Sequence, residues 1–460
     1  MPIDDRHPLE DLPKNSVVYA IALFIHAQAP RQNWLMAVVA ALALWAGIVG
    51  RNINVSGSGL NLYLLMIAGT GRGKEGMASG IARLIEAIAK SVPIARDLLT
   101  GRYASSQALL QQLKGNPATI SMQGEGEYLL RGLTSPKASQ NDKELLRSLL
   151  DLYHKSGFGQ TFTGYRKADL AGSVAHIHSP NFTLLTEGTF GLVDALLDGD
   201  SIRKGLGPRC SVVISKAERP EMNDTCSSAT PDAALVEHLA GVLSWVMSMS
   251  SPLQVLNTSF EIEAAALHKD FDRETTWLIN NSANIIESEL WNRSHLKAMK
   301  LAALVASGVN HYSPTITADQ MNWAINAERY STNQLLREIS SGEVGEVTED
   351  VRLSRVIKAC TEYVTERDAT KFPHGYRVDH DLHQKMIITF AYLNNKLGNT
   401  KPFRRDGHKQ PSQIIRDCLK LLVDKGDLEY LPKGRMNGTH DARVEGWMIA
   451  NLRSFGLQGA

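Results

Sequence analysis

The sequence predicts an α/β protein, in which a parallel sheet flanked by helices is followed by an all-helical stretch and a smaller helix-and-hairpin module. Three observations predict it. A glycine-rich loop joins a short apolar run to an amphipathic helix. Further apolar runs follow at intervals that helical segments fill. Past the acidic, glycine-containing linker Ser341–Asp350, an amphipathic helix leads into two strand-like runs.

Composition narrows the function classes. The 460 residues allow two or three domains, each with its own core. A net charge of +1 sets up no whole-chain field toward nucleic acid or membrane, so any basic surface is local. Cys210, Cys226, Cys360 and Cys418 are scattered and form no CxxC pair. That argues against a zinc module or a disulfide scaffold and suits a cytoplasmic compartment. Trp34 to Gly50 carries no charge, but it is short of the roughly 20 residues of a typical membrane span. It is rich in alanine, arginines flank both its ends, and the segment before it is polar and acidic, unlike a signal peptide. The expectation is a buried helix and no membrane partner.

In chain order, residues 1–60 read as an N-terminal helical segment that stops at the breaker run Asn52–Gly59. The α/β core is placed at 61–255. It opens with the apolar strand Leu62–Ile67. From Lys74 the period changes, with Met77, Ile81, Leu84, Ile85 and Ile88 on one helical face. Ala118–Met122, Phe182–Thr186 and Cys210–Ser215 are further strands, and Glu144–Tyr153 is helical. Segments 134–143 and 216–232 read as surface loops. A helical lid is expected over 256–340, with a capping box at Thr317-Ala-Asp-Gln320. The last module covers 351–460. Its helix Ser412–Asp424 turns Ile414, Ile415, Cys418, Leu419, Leu421 and Leu422 inward and ends at Lys425-Gly426. Asp427–Leu431 and Arg443–Ile449 then form a hairpin around the turn-rich Pro432–Gly438, the pattern of a winged helix-turn-helix.

The loop Ala68-Gly-Thr-Gly-Arg-Gly-Lys-Glu75 carries the chemistry. Cradling phosphates needs glycines that let backbone N–H groups turn inward, a lysine, and the positive end of a helix. Gly69, Gly71 and Gly73 supply the backbone, flanked by Thr70 and Arg72, and Lys74 supplies the charge. Strand before and helix after are the context this motif requires. Ala68 replaces the first glycine of GxxxxGK[ST]. Glu75 replaces the magnesium-binding hydroxyl, and its carboxylate can serve magnesium directly or through water. The loop therefore implies ATP with Mg2+; the plainer alternative is a glycine turn that binds nothing.

Hydrolysis needs carboxylates at the end of a second strand. Glu125 and Glu127 follow Ala118–Met122, and Glu125, nearer the strand, is the candidate for placing water and, with Glu75, holding metal. Gln123-Gly124 stand where the magnesium-holding Asp is expected. Thr186 and Glu187 end the next strand as sensors of the γ-phosphate or attacking water. Arg203, Lys204 and Arg209 follow, and Arg209 is the candidate finger offered to a neighbouring subunit. Solvated loop carboxylates and an ordinary surface arginine are the respective alternatives.

In the last module, Lys401, Arg404, Arg405, Lys409, Arg416, Lys420, Lys425, Lys433 and Arg435 outnumber the acids among them. Basic residues at a helix and a hairpin tip suit DNA phosphates; a winged fold used for protein contacts is the alternative. His374, His380 and His383 have no cysteine companion and read as a solvated helix start rather than a metal site.

Taken together these features resemble the primase-helicase-like P-loop ATPases of phages, plasmids and integrated elements, related to RecA-like and superfamily 3 helicases. The alanine-rich helix Trp34–Gly50, Glu125-Gly126, the run Gly205–Val213 and the segment Arg293–Ala302 with Ile316-Thr317 and Trp323-Ala324 carry the resemblance, over about residues 20–340. It implies a RecA/AAA-like P-loop NTPase core with a helical lid. The implied activity is that of a DNA-dependent ATPase, a helicase, initiator or loader, acting as a homo-oligomeric, hexameric ring among replication proteins. An ATP-gated DNA-binding regulator with little turnover is the main rival, and a packaging or transport ATPase the weaker one.

Overall fold

The uncharged run near the N-terminus becomes the centre of the molecule. In this computed structural model, helix α1 (Val17–Gln28) is followed by α2 (Trp34–Val49). The Asn33 side chain caps α2, accepting from the Met36 amide at 3.2 Å. Every residue from Leu35 to Val49 is buried, because a helix apolar on all sides needs partners all round. Among the described residues no helix is long and apolar enough to cross a membrane. The structure describes residues 6–135, 137–157, 159–164, 173, 176–197, 205–250, 253–282, 285–340, 349–403, 409–433 and 444–455. They fall into two compact units, Met1–Leu336 and Arg337–Ala460.

In the first unit α2 lies against a five-stranded, all-parallel sheet. Its strands are β1 (Tyr63–Ala68), β2 (Leu99–Thr100), β3 (Ala118–Gln123), β4 (Asn181–Gly188) and β5 (Ser211–Ser215), in the order β2-β3-β4-β1-β5. All of β1 and β5 is buried, as parallel strands covered on both faces should be. Four of these strands coincide with the apolar runs in the sequence; the edge strand β2 does not. Helices α3 (Glu75–Ala89), α4 (Ser106–Gly115), α5 (Gly126–Thr134), α6 (Gln140–His154), α7 (Gly191–Leu197) and α8 (Ala233–Ser248) occupy the connections and the faces.

The segment expected as a lid forms α9 (Ile262–Asn281), α10 (Ile285–Trp291), α11 (Ser294–Val309) and α12 (Ala318–Ser340). The Thr317–Gln320 capping box is present in both directions, at 3.0 and 3.3 Å. Helix α11 is buried from Lys297 to Ser307 and packs against α1 and α2, so it shares one core with the sheet. Two buried lysines on α11 reach the amino ends of the strands. Lys297 pairs with Glu328 at 2.9 Å and donates to the Cys210 carbonyl, while Ser211 donates to the other Glu328 oxygen at 2.6 Å. Lys300 donates to Asn61 Oδ1 at 2.6 Å and lies 4.4 Å from the centre of the Tyr153 ring.

The second unit runs α13 (Glu349–Thr365), α14 (His380–Gln384), β6 (Ile388–Thr389), α15 (Phe390–Leu397), α16 (Pro411–Asp424), β7 (Leu428–Leu431) and β8 (Gly446–Ile449). The strands form an antiparallel sheet in the order β6-β8-β7. Ile414, Ile415, Cys418, Leu419 and Leu422 of α16 are buried in a core with Val356, Cys360, Tyr363 and Tyr392. Gly426 takes φ +76° just past the helix, the left-handed stop its sequence signals. Of the expected linker Ser341–Asp350, residues 341–348 lie outside the described residues, and Glu349 and Asp350 already belong to α13.

Candidate functional site

Strand β1 is an interior strand of the sheet, between β4 and β5, and its carboxyl end at Ala68 opens directly into the glycine loop. Gly71 adopts φ +70° and Gly73 φ +98°, conformations that glycine takes without Cβ strain. At Gly73 even a methyl group would not fit, since a Cβ there would sit 2.3 Å from the Arg31 carbonyl oxygen. The chain then enters α3 at Glu75. Lys74 turns its ammonium back over the loop, donating to the carbonyls of Ala68 at 2.9 Å and Gly69 at 3.3 Å.

Two segments distant in sequence brace this loop. Arg72 donates to the Ala217 carbonyl and Arg31 to the Pro220 carbonyl. The amide of Asn223 donates to Pro30 O at 2.8 Å, and its side chain to Ala27 O and Ala29 O at 2.8 and 3.1 Å. The stretch 216–232, expected as a plain surface loop, is thus in part a strap. It also brings the exposed Arg219 beside Gly71, where a Cβ would lie 3.5 Å from the Arg219 Nε. Sequence reasoning passed over Arg219 and Arg31 because their only signal is proximity, which no spacing reveals.

Beyond Lys74 lies a cavity of about 110 Å3, lined by Lys74, Met77, Met122, Gly124, Thr186 and Glu187 among others. The Thr186 hydroxyl donates to the Gln123 carbonyl at 2.9 Å, tying the ends of β3 and β4 together. Burial raises the Glu187 carboxyl above its ordinary range; the Lys74 ammonium pulls it down and Glu75 pushes it up. Its Oε2 is buried and meets no hydrogen-bond partner. The structure therefore brings together Lys74, Glu75, Thr186 and Glu187. Gly69, Thr70, Gly71, Arg72 and Gly73 form the adjoining loop.

Glu125 is placed differently. It precedes α5 as an exposed residue in the left-handed region, φ +53° and ψ 48°, and makes no capping bond. A non-glycine residue there costs about 1–3 kcal/mol, strain that clusters at functional positions. It does not line the cavity beside Lys74. Glu127 accepts from Thr189 at 3.5 Å.

Arg209 just precedes β5, at the amino end of the sheet. Leu64 pairs with Ser211, so about six residues of strand, roughly 20 Å, separate its level from the phosphate loop of the same chain. Its guanidinium is held by the Gly205 carbonyl and by His154 Nε2 at 2.7 Å. Burial, followed by Arg209 itself, pushes His154 down to about 4, which keeps it neutral and able to accept this bond. Arg203 and Lys204 lie outside the described residues.

In the second unit, Arg416 pairs with Glu445 at 2.6 Å and lies 4.0 Å from the Phe390 ring centre, while Lys409 pairs with Asp417 at 2.8 Å. Lys420 and Lys433 are exposed. Arg404, Arg405 and Arg435 lie outside the described residues. Asp379 caps α14, and His383 is buried against the Tyr363 carbonyl at 3.0 Å. Among the described residues no group of three or more His, Cys, Asp or Glu could hold a metal by itself. Magnesium in a phosphate site asks for less: one or two carboxylates plus phosphate oxygens and water. Glu187, which lines the cavity and has a buried oxygen lacking a donor, fits that requirement. No protein-family model and no curated protein matches this chain.

Proposed function

We propose that this chain is a P-loop ATPase whose nucleotide site is the loop Gly69–Lys74 and whose second unit is a winged helix-turn-helix that binds DNA. One observation carries the first part. At the carboxyl end of an interior, buried parallel strand, two glycines in positive-φ conformations lead to a lysine at the start of a helix. That is where a phosphate is best held, by backbone N–H groups, a cation and a helix dipole together. The sheet order, with β4 between the loop strand and β3, is compatible with a RecA-like core.

In this reading Lys74 leaves the Ala68 and Gly69 carbonyls and moves to the terminal phosphates of ATP. Arg219 adds positive charge at the mouth of the loop, and Thr186 keeps the β3 and β4 ends in register. Bound magnesium would neutralise charge developing on the phosphoryl group. Arg209 could act only on a neighbour's nucleotide, which would require a ring and the release of Arg209 from His154. The second unit runs helix–helix–strand–helix–helix–strand–strand, and apart from the five-residue α14 this order and the antiparallel sheet support the winged-helix reading, with Lys420, Lys425 and Lys433 among its exposed cations. A hexameric ring, replication partners and a mobile-element origin follow from the sequence resemblance alone, and a cytoplasmic location from the scattered cysteines.

A second reading is favoured by one feature: Glu125 faces solvent and Gly124 carries no acid, so ATP could act as a switch with little turnover. ATP hydrolysis by wild type and Lys74→Ala, with and without single- and double-stranded DNA, separates the two. Turnover stimulated by DNA and abolished in Lys74→Ala supports the motor; ATP binding without turnover supports the switch. Neither binding nor turnover would sink both.

A further inference from the structure

Strand β3 ends at Gln123 and Gly124 follows it, so the acid expected to hold magnesium is missing from the strand end where it was sought. The neighbouring strand supplies one at the same place. Strands β3 and β4 are parallel and Gln123 pairs with Thr186, so Gly124 and Glu187 stand side by side one step further on. A Cβ built on Gly124 would lie 3.9 Å from Glu187 Oε1, in ordinary contact. The Glu187 carboxylate thus lies next to the space into which an acid at position 124 would project. Its other oxygen is buried without a hydrogen-bond donor, and the residue lines the cavity that Lys74 also lines. A buried carboxylate oxygen left this way is costly, and a hydrated cation beside it would remove the cost.

We propose that Glu187 is the magnesium-holding carboxylate of the nucleotide site, delivered from β4 in place of the acid that β3 lacks. The proposal rests on the ATP-binding reading above. It differs from the expectation in the sequence, where Glu187 is a sensor and Glu125 holds the metal. Glu125 is exposed and outside the cavity, and Glu187 is neither. Glu75, exposed at the first position of α3 next to Lys74, is the nearest further carboxylate in the sequence.

The test is calorimetric binding of the non-hydrolysable analogue AMP-PNP, in excess chelator and in excess Mg2+, to four proteins: wild type, Glu187→Gln, Glu125→Gln and the double variant Gly124→Asp/Glu187→Gln. Losing a metal-holding carboxylate should cost about tenfold or more in the gain that Mg2+ gives, as loss of groups supporting a metal site does. Glu187→Gln should bind at least as tightly as wild type in chelator, because it removes a negative charge beside the phosphates, and lose the Mg2+ gain, and Glu125→Gln should keep that gain. The double variant should recover it, because an acid is restored at the same point and Gly124 has no positive φ to forbid the substitution. Recovery also shows that the single variant was folded. A full Mg2+ gain in Glu187→Gln, or its loss only in Glu125→Gln, overturns the proposal. Failure of wild type to bind AMP-PNP under both conditions overturns the ATP reading and this inference with it.

Discussion

Replacing Gly73 by alanine should damage the first unit far more than the same change at Gly71, and the difference can be worked from the loop. Both residues have positive φ, +98° and +70°. An L-residue held in left-handed backbone costs about 1–2 kcal/mol, and this cost is common to both substitutions. Space separates them. At Gly71 the nearest neighbour of the new Cβ is the flexible Arg219 side chain at 3.5 Å, an ordinary contact. At Gly73 it is the Arg31 carbonyl oxygen at 2.3 Å, with the Arg31 carbonyl carbon at 3.2 Å. Backbone must move by about 1 Å, and the Arg31 segment is tied down by three hydrogen bonds from Asn223. Forced overpacking of this kind costs about 1–3 kcal/mol. Gly71→Ala should therefore cost about 1–2 kcal/mol and Gly73→Ala about 2–5 kcal/mol. Urea unfolding followed by tryptophan fluorescence measures both, since every tryptophan except Trp447 lies in the first unit. Equal costs, or a larger cost at Gly71, would refute the steric argument and the placement of Arg31 against the loop.

Three further outcomes are expected. Lys297→Met leaves Glu328, whose side chain is only 1% exposed, buried without its cation; it should destabilise the first unit by about 3–5 kcal/mol, while Lys297→Met/Glu328→Leu should recover most of the loss in the same urea assay. Lys300 is pushed down to about 7, first by burial and then by Arg293. Between there and its unfolded value of 10.5 the unfolded chain binds more protons, so this residue makes stability rise with pH; the advantage of wild type over Lys300→Met should grow between pH 7 and 9.5 and stay flat below, and a constant difference would contradict its burial. On duplex DNA, Lys420→Ala and Lys433→Ala should each flatten the logarithmic salt dependence by about 0.9. Arg416→Ala should instead destabilise the second unit by about 1 kcal/mol, through loss of its Phe390 contact and Glu445 pair, as thermal melts of the variants would register.

Much of the frame was legible because its signals are local. The apolar runs of β1, β3, β4 and β5 stand between breakers, the 3.6 period begins at α3, and the Thr317 capping box and Gly426 stop mark helix ends. Strand β2 was not legible: two residues at a sheet edge, after a short 3-10 turn, carry no period to detect. The burial of α11 was half legible. Lys297 and Lys300 look like surface charges, yet they lie three apart on one face of a helix otherwise made mostly of Ala, Leu and Met. Two lysines alone cannot make a solvated face, so they had to find polar partners inside, and Glu328 and Asn61 are those partners.

The site was harder, and the reason is general to parallel sheets. Sequence reasoning looks for an acid at the end of one named strand, but the ligand meets the edge of a sheet, where neighbouring strand ends stand about 4.8 Å apart. A carboxylate moved from β3 to β4 by one register pair leaves the chemistry at that edge almost unchanged, while moving the motif from Gly124 to Glu187 along the chain. Under the proposal for Glu187, the departure at Gln123-Gly124, where the sequence lacks the expected acid, is half of a compensating pair. Its other half was visible as Thr186-Glu187, but the strand order was needed to join them. The pairing of Gln123 with Thr186 supplies that order, and the Gly124→Asp/Glu187→Gln exchange tests it, because only adjacent strand ends could share one acid between them.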